Sequence, residues 1–230
     1  MTDGDRRRRP KVEGPLPPSR PELPDVALLA EDLPVALRGA KIRARHLSTT
    51  DLSGCDATGA RLIECRVDDV DLSGAVIRRA SIGDTVVERG DWANVDAFEA
   101  ELKRVNMHGV RLTGATLAAT KISDVRFVDC RINLSSVRFG HLERVTFENC
   151  SMEEVDFYEA TLSSVVFSGC DLTKANLAKA TFARCEMRDC ELGGVGGPEQ
   201  LRGVGMPWSD VVGHAAVLAL GLGVRILDDD

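Results

Sequence analysis

Apolar residues recur at every fifth position from Ile42 to Leu192, 31 positions out of 31, and the residue two places before each is small, with Arg45 the one large exception. The apolar column opens Ile42, Leu47, Leu52, Ala57, Leu62 and closes Leu177, Phe182, Met187, Leu192. Its companion runs Ala40, Thr50, Cys55, Ala60, Cys65 and on to Cys190. In an α-helix a step of five advances the apolar position by roughly 140°, so no single face collects it. In a flat strand an odd period throws successive apolar residues to opposite faces. The chain must therefore bend once per five residues, so that each unit turns its central and its small residue toward one interior, as a β-solenoid does.

A longer period sets the number of sides. Asp51, Asp71 and Asp91 recur at twenty, Thr50–Gly54 and Val70–Gly74 are near copies, and Cys130, Cys150, Cys170 and Cys190 form a ladder at the same spacing. Four units per coil make a square cross-section, and residues twenty apart stack about 4.8 Å from one another with backbones paired between coils. Residues 35–194 then supply about eight coils and a rod roughly 38 Å long.

The units Ala40-Lys41-Ile42, Val70-Asp71-Leu72, Cys170-Asp171-Leu172 and Ala175-Asn176-Leu177 resemble the A(D/N)LXX motif of the pentapeptide-repeat family. The resemblance covers about 70% of the chain and implies an all-β, right-handed four-sided parallel β-helix. It implies no single function, because shape is shared across many roles. Some family members mimic B-form DNA and bind bacterial type II topoisomerases, DNA gyrase among them, to inhibit or protect them; others dimerise through a C-terminal helix.

Trp92 is the one oversized centre, with Gly90 before it in the small column and Ala97 as the next centre, so the volumes compensate. Ala57 and Ala97 share one side, where a narrower interior or a kinked coil is expected. The corner column Gly54, Gly74, Asn94, Gly114 favours positive φ. Its continuation Leu134, Glu154, Lys174 predicts a different turn from about the fifth coil.

Both ends of a solenoid need covering. Residues 1–20, with Arg6–Arg9 and four prolines, have too little to bury and are expected to be disordered. Residues 21–34 carry Val26, Leu28, Leu29 and Leu33 and are expected to form an N-terminal cap or strap. In the region 195–230, Pro198 starts a short helix through Leu201, and Ser209 N-caps a second running to about Leu220 as an α-helical cap. Val211, Val212, Ala215, Leu218, Ala219 and Leu222 give it an apolar surface that suits a two-fold dimer. Residues 211–227 are too short, and too rich in Gly, His and Arg, to span a membrane. The basic N-terminus runs into prolines instead of an apolar stretch, so no signal peptide is expected and the cytoplasm is the expected location.

The seven cysteines all fall in the small inward column, where they serve as compact hydrophobes and neither metal ligands nor a disulfide framework. His46, His108, His141 and His214 have no ligand-spaced partner and read as solvated. No phosphate loop, nucleophile elbow or dinucleotide fingerprint is present, and an unbroken rod offers no concave pocket. A non-enzyme needing no cofactor or metal follows.

Function is then expected on the outer walls, named by their centres. The first (Ile42, Leu62 and so on) carries eight Lys/Arg against five Asp/Glu, net +3; the second nets −2, the third −4 and the fourth −1 within a chain of net charge −7. The acidic third wall, with Asp51, Asp71, Asp91, Glu153, Glu154, Asp171 and Glu191, is the candidate DNA-mimic face. On the fourth wall, Phe98, Phe139 and Tyr158 point outward, with Leu134 at the neighbouring corner, in a chain only 4% aromatic. That stripe predicts a covered surface, under either a partner protein or residues 21–34. Direct nucleic-acid binding by the basic first wall is disfavoured by the acidic total.

Overall fold

A computed structural model describes residues 27–28 and 36–227. The repeat folds as a parallel β-solenoid with four walls. On the first wall β2 (Lys41–Arg43), β4 (Arg61–Ile63), β6 (Ser81–Asp91), β7 (Glu101–Arg111), β8 (Lys121–Val128), β9 (His141–Glu148), β10 (Thr161–Ser163) and β12 (Thr181–Ala183) pair in steps of twenty. From Lys41 to Thr181 that is seven turns. The second wall runs through β3 (His46–Ser48), β5 (Arg66–Asp71), the later parts of β6 to β9, β11 (Val166–Ser168) and β13 (Glu186–Arg188). The third and fourth walls are single-residue ladders, Asp51–Asp71 through Asp171–Glu191 and Asp56–Val76 through Asn176–Gly196.

Every fifth residue from Gly39 to Gly194 has a left-handed φ, whatever its type. Leu134 sits at 59°, Glu154 at 56° and Lys174 at 57°, beside Gly114 at 70° and Asn94 at 56°. The expected change of turn near the fifth coil is therefore not found. Turn type changes around the circumference instead. On the third and fourth walls the small residue's N–H donates to the preceding centre's carbonyl, as in Cys55 to Leu52 (3.2 Å) and Ala60 to Ala57 (3.0 Å), giving a type II turn with its positive-φ residue third. On the first and second walls the chain passes through corners such as Asp84 and Arg89 as continuous strand. Pairing with the coils above and below holds the corner, so residues that disfavour positive φ are carried there.

The centres form one continuous core. Phe127, Phe147 and Phe167 stack at 4.9 and 5.0 Å with nearly parallel rings, a direct measure of coil spacing. Most of the polar side chains in the small column reach back to a carbonyl. Cys65, Cys130, Cys150, Cys170, Cys185 and Cys190 each donate S–H to the residue two before at 3.2–3.5 Å, as Thr50 and Thr85 do through their hydroxyls. All seven thiols are free, and all but Cys55 are buried. At Gly90 an added Cβ would lie 2.8 Å from the Val70 carbonyl and 3.1 Å from Trp92 Nε1, so the wide indole is accommodated by a missing methyl. Both alanine centres line open space. An apolar cleft of about 70 Å³ opens among Leu37, Ile42, Ala57, Ala60 and Trp92, and a void of about 10 Å³ lies beside Ala97.

At the N-terminal end β1 (Ala27–Leu28) pairs in parallel with β3, Ala27 opposite His46 and Leu28 opposite Leu47. It adds a rung to the second wall. The rest of 21–34, and all of 1–20, lie outside the described residues. At the other end a 3-10 turn, Pro198–Leu201, buries Leu201. The single helix expected from Ser209 is two: α1 (Trp208–Gly213), N-capped by Pro207, and α2 (Ala215–Gly221), separated at His214. Ser209 lies inside α1, its hydroxyl on Asp210 at 3.1 Å. Val217 and Leu218 of α2 pack on the core. Among the described residues no helix is long and apolar enough to cross a membrane.

Candidate functional site

The wall alternates outward residues on either side of each buried centre, so side chains twenty apart form columns about 4.8 Å per step. On the fourth wall Phe98, Leu134 and Phe139 are exposed by 36%, 61% and 45%, and Tyr158 is half-buried. Phe139 meets Tyr158 edge to face at 6.0 Å. Arg138 lays its guanidinium 4.6 Å from the Tyr158 ring and 5.6 Å from Phe139. Lys179 lies 4.9 Å over the Tyr158 ring and donates to its hydroxyl at 2.6 Å. The structure thus brings Phe139 and Tyr158 into one clamp with two cations that the outward pattern did not single out. Phe98 stands two rungs away across Ala118, and Leu134 stands at the other corner of the wall.

Every charge on this wall is tied to another. Arg38 binds Asp56 (2.6 Å), Arg78 Asp96 (2.6 Å), Arg138 Asp156 (3.2 Å), Arg79 Glu99 (2.8 Å) and Lys179 Glu159 (3.0 Å). Three of these join an Arg to an Asp eighteen residues later, a spacing that was readable in the sequence. Thr58's hydroxyl and backbone N–H, then Arg38, draw the Asp56 carboxyl down to about 2. The Lys179 ammonium, then the Tyr158 hydroxyl, lower that of Glu159.

The third wall behaves differently. Asp51, Asp71, Asp91 and Asp171 each accept the backbone N–H two residues on, at 2.7–2.9 Å, capping the turn beneath them. Hydrogen bonds from Ser53 hold the Asp51 carboxyl below its ordinary range. Of the seven acidic candidates, Asp91 is bound by Arg111 at 2.8 Å and Glu154 by Lys174 at 3.7 Å. Among the described residues Asp51, Asp71, Glu153, Asp171 and Glu191 have no cationic partner. On the first wall four of the five carboxylates, Glu64, Asp84, Asp124 and Glu143, are held by arginines, with Arg104 on Asp84 and Arg144 on the buried Asp124 at 2.5 Å, while Glu101 has no cationic partner among the described residues. Lys41, Arg61, Lys103, Lys121 and Arg184 are left without an anionic partner among the described residues.

Two of the histidines are engaged. His108 Nε2 lies 3.1 Å from Asp129, and His214 Nε2 meets the Cys190 carbonyl at 2.7 Å. Asp210 accepts the Asp189 N–H at 2.7 Å, so one turn of α1 clips the last coil's exposed edge. Neither Asp210 nor His214 carries a signal for this in the sequence. Of the apolar cap candidates, Val212, Ala215 and Leu222 are exposed, joined by Trp208, Leu220, Val224, Ile226 and Leu227, whereas Val211, Leu218 and Ala219 are half-buried. Burial and hydrogen bonding along the thiol ladder push Cys150 and Cys170 up to about 12, with neighbouring cysteine as the leading cause in each. No group of three or more His, Cys, Asp or Glu among the described residues is placed to hold a metal.

A model described as pentapeptide repeats (8 copies) matches residues 37–85, and one described as a pentapeptide repeat region matches 140–196. No curated protein matches. Among solved structures, the chain is similar to a trypsin-treated variant of QnrB1, a plasmid-mediated fluoroquinolone resistance protein, at 22% identity over 83% of this chain and 92% of that one, with a TM-score of 0.46. HetL, a pentapeptide-repeat protein involved in heterocyst differentiation regulation from the cyanobacterium Nostoc, matches at 18% identity, 69% and 85% coverage and a TM-score of 0.25. Rfr23, from the cyanobacterium Cyanothece, matches at 14%, 57% and 90%, with a TM-score of 0.40. With both models matching and one unbroken five-residue register joining them, the chain belongs to the pentapeptide-repeat family.

Proposed function

We propose that the protein is a non-catalytic scaffold that docks a protein partner on its fourth wall. The observation that carries this reading is that every charge on that wall is neutralised by a neighbour while Phe98, Leu134 and Phe139 stay exposed beside Tyr158. Aromatic anchors within a neutral, hydrogen-bonded rim are the composition of an interface centre. Phe98→Ser with Phe139→Ser is expected to lose a captured partner at least fivefold in affinity, the scale of an interface anchor, without lowering the melting temperature. Equal capture of the same partner by both proteins would sink the reading. Seven free thiols suit a reducing compartment, and the cytoplasm is the location that goes with them.

A second reading rests on the third wall, where five carboxylates without cationic partners line the rod. It makes the protein a DNA mimic that binds DNA gyrase to inhibit or protect it. A supercoiling assay tests it: the wild type shifts gyrase activity at micromolar protein and Asp71→Asn with Glu191→Gln weakens the shift, whereas no effect of the wild type ends this reading. The exposed apolar surface around Trp208, Val212 and Leu222 supports a two-fold dimer through the C-terminal helices. Light scattering at several concentrations would report twice the chain mass, falling to the chain mass in Val212→Glu with Leu222→Glu.

A further inference from the structure

Ion pairing sharpens a sorting of the surface that formal charge already begins. The fourth wall is neutralised within itself, and on the second the pairs Arg66–Glu88, Arg89–Asp68, Arg126–Glu148 and Arg188–Glu186 leave Arg45, Asp69 and Asp189 without an opposite partner among the described residues. Most of the charges left without an opposite partner among the described residues stand on the other two walls, five cations against Glu101 on the first and five carboxylates against Arg131 on the third. These are opposite sides of a four-sided rod. Because both walls are built from the same coils, their charges stand on ladders of identical spacing.

We infer that the first wall of one molecule docks on the third wall of a second copy, giving a lateral, salt-sensitive self-association. With two rods side by side and pointing the same way, Lys41 and Arg61 stand on the two rungs that carry Asp51 and Asp71 in the neighbour. Arg184 stands on the rung of Glu191. Mid-rod, Lys103 and Lys121 face the levels of the Arg111–Asp91 pair and Arg131, so attraction is concentrated at the two ends. The contact joins two different patches, so it does not close on itself. Each docked copy leaves a free wall on either side, and the product grows with concentration. It uses neither the fourth wall nor the C-terminal helices. It would compete with a gyrase-like partner for the third wall.

Sedimentation equilibrium over a concentration series tests it. At about 20 mM salt the mean mass is expected to rise steadily with concentration, and at about 500 mM, where exposed charges are screened within a few ångströms, to fall to a concentration-independent value. The variant Lys41→Glu, Arg61→Glu, Arg184→Glu is expected to lose the rise, and so is Asp51→Asn, Asp71→Asn, Glu191→Gln, which keeps the turn caps. Lys103→Glu with Lys121→Glu is expected to keep it. Mixing the first variant with Asp51→Lys, Asp71→Lys, Glu191→Lys should restore growth that neither shows alone. A salt-independent mass, unaltered growth in either end variant, or a mixture of two folded variants that stays unassociated would overturn the inference. Loss of the fourth-wall partner with lateral growth intact, or the reverse, separates its failure from that of the docking reading.

Discussion

Individual residues in this fold are chosen by how much space a coil leaves them. Gly90 is the clearest case, since a Cβ there would press on a carbonyl that cannot move. Gly90→Ala is expected to cost about 1–3 kcal/mol by overpacking, read from the denaturant midpoint. The cysteines fit for a related reason: a thiol fills the small position and returns its proton to the carbonyl two residues back. With the other six thiols buried away from reagent, native protein should yield at most one rapidly reacting thiol to a disulfide reagent at pH 8, Cys55, and all seven once unfolded. Fast reaction of Cys150 or Cys170 in the native state would contradict the packing. The inward column was legible in the sequence because five residues always return to the same interior. His214 was not, because what it touches, the Cys190 carbonyl, is a backbone atom that carries no sequence signature.

At the level of the coil, the aspartates of the repeat have a turn to hold as well as a charge to present. Asp71→Ala leaves the Ser73 N–H without its acceptor and is expected to lose about 1 kcal/mol, whereas Asp71→Asn keeps the acceptor and should change stability little. Equal loss in both would mean that charge, and not the turn, is what stability requires of this residue. The C-terminal clip is similar. In Asp210→Ala the Asp189 amide should exchange faster with solvent by tenfold or more while amides in β7 keep their protection. The break between α1 and α2 at His214 escaped the sequence reading, which saw a continuous apolar run. Docking on the last coil decides where that run bends. The corner expectation failed for the opposite reason: the sequence speaks for each residue's preference, and pairing with two neighbouring coils overrides it at Leu134, Glu154 and Lys174 alike.

Across the whole molecule, the carboxylates of Asp51, Asp56, Glu64, Asp96 and Glu159 are held below their ordinary values by turn N–H groups, serine and threonine hydroxyls, and paired cations. A carboxylate whose folded value lies below its unfolded one contributes stability above the unfolded value and loses it as pH falls through the folded one. With Asp56 drawn from 3.8 to about 2, the denaturant midpoint should hold steady at neutral pH and fall between about pH 4 and pH 2. A midpoint that falls already from pH 7 to pH 5 would point to other groups. The five-residue period determined the solenoid and which side chains face in, and the longer period of twenty its four walls, because inward and outward follow from chain geometry before any long-range contact forms. Which outward charges remain without partners, and which aromatics are clamped, was decided only when the coils stacked. Most ion pairs and ring contacts form between residues eighteen to twenty-two apart in sequence, across a gap whose closure depends on how each side chain leans toward the rung above or below.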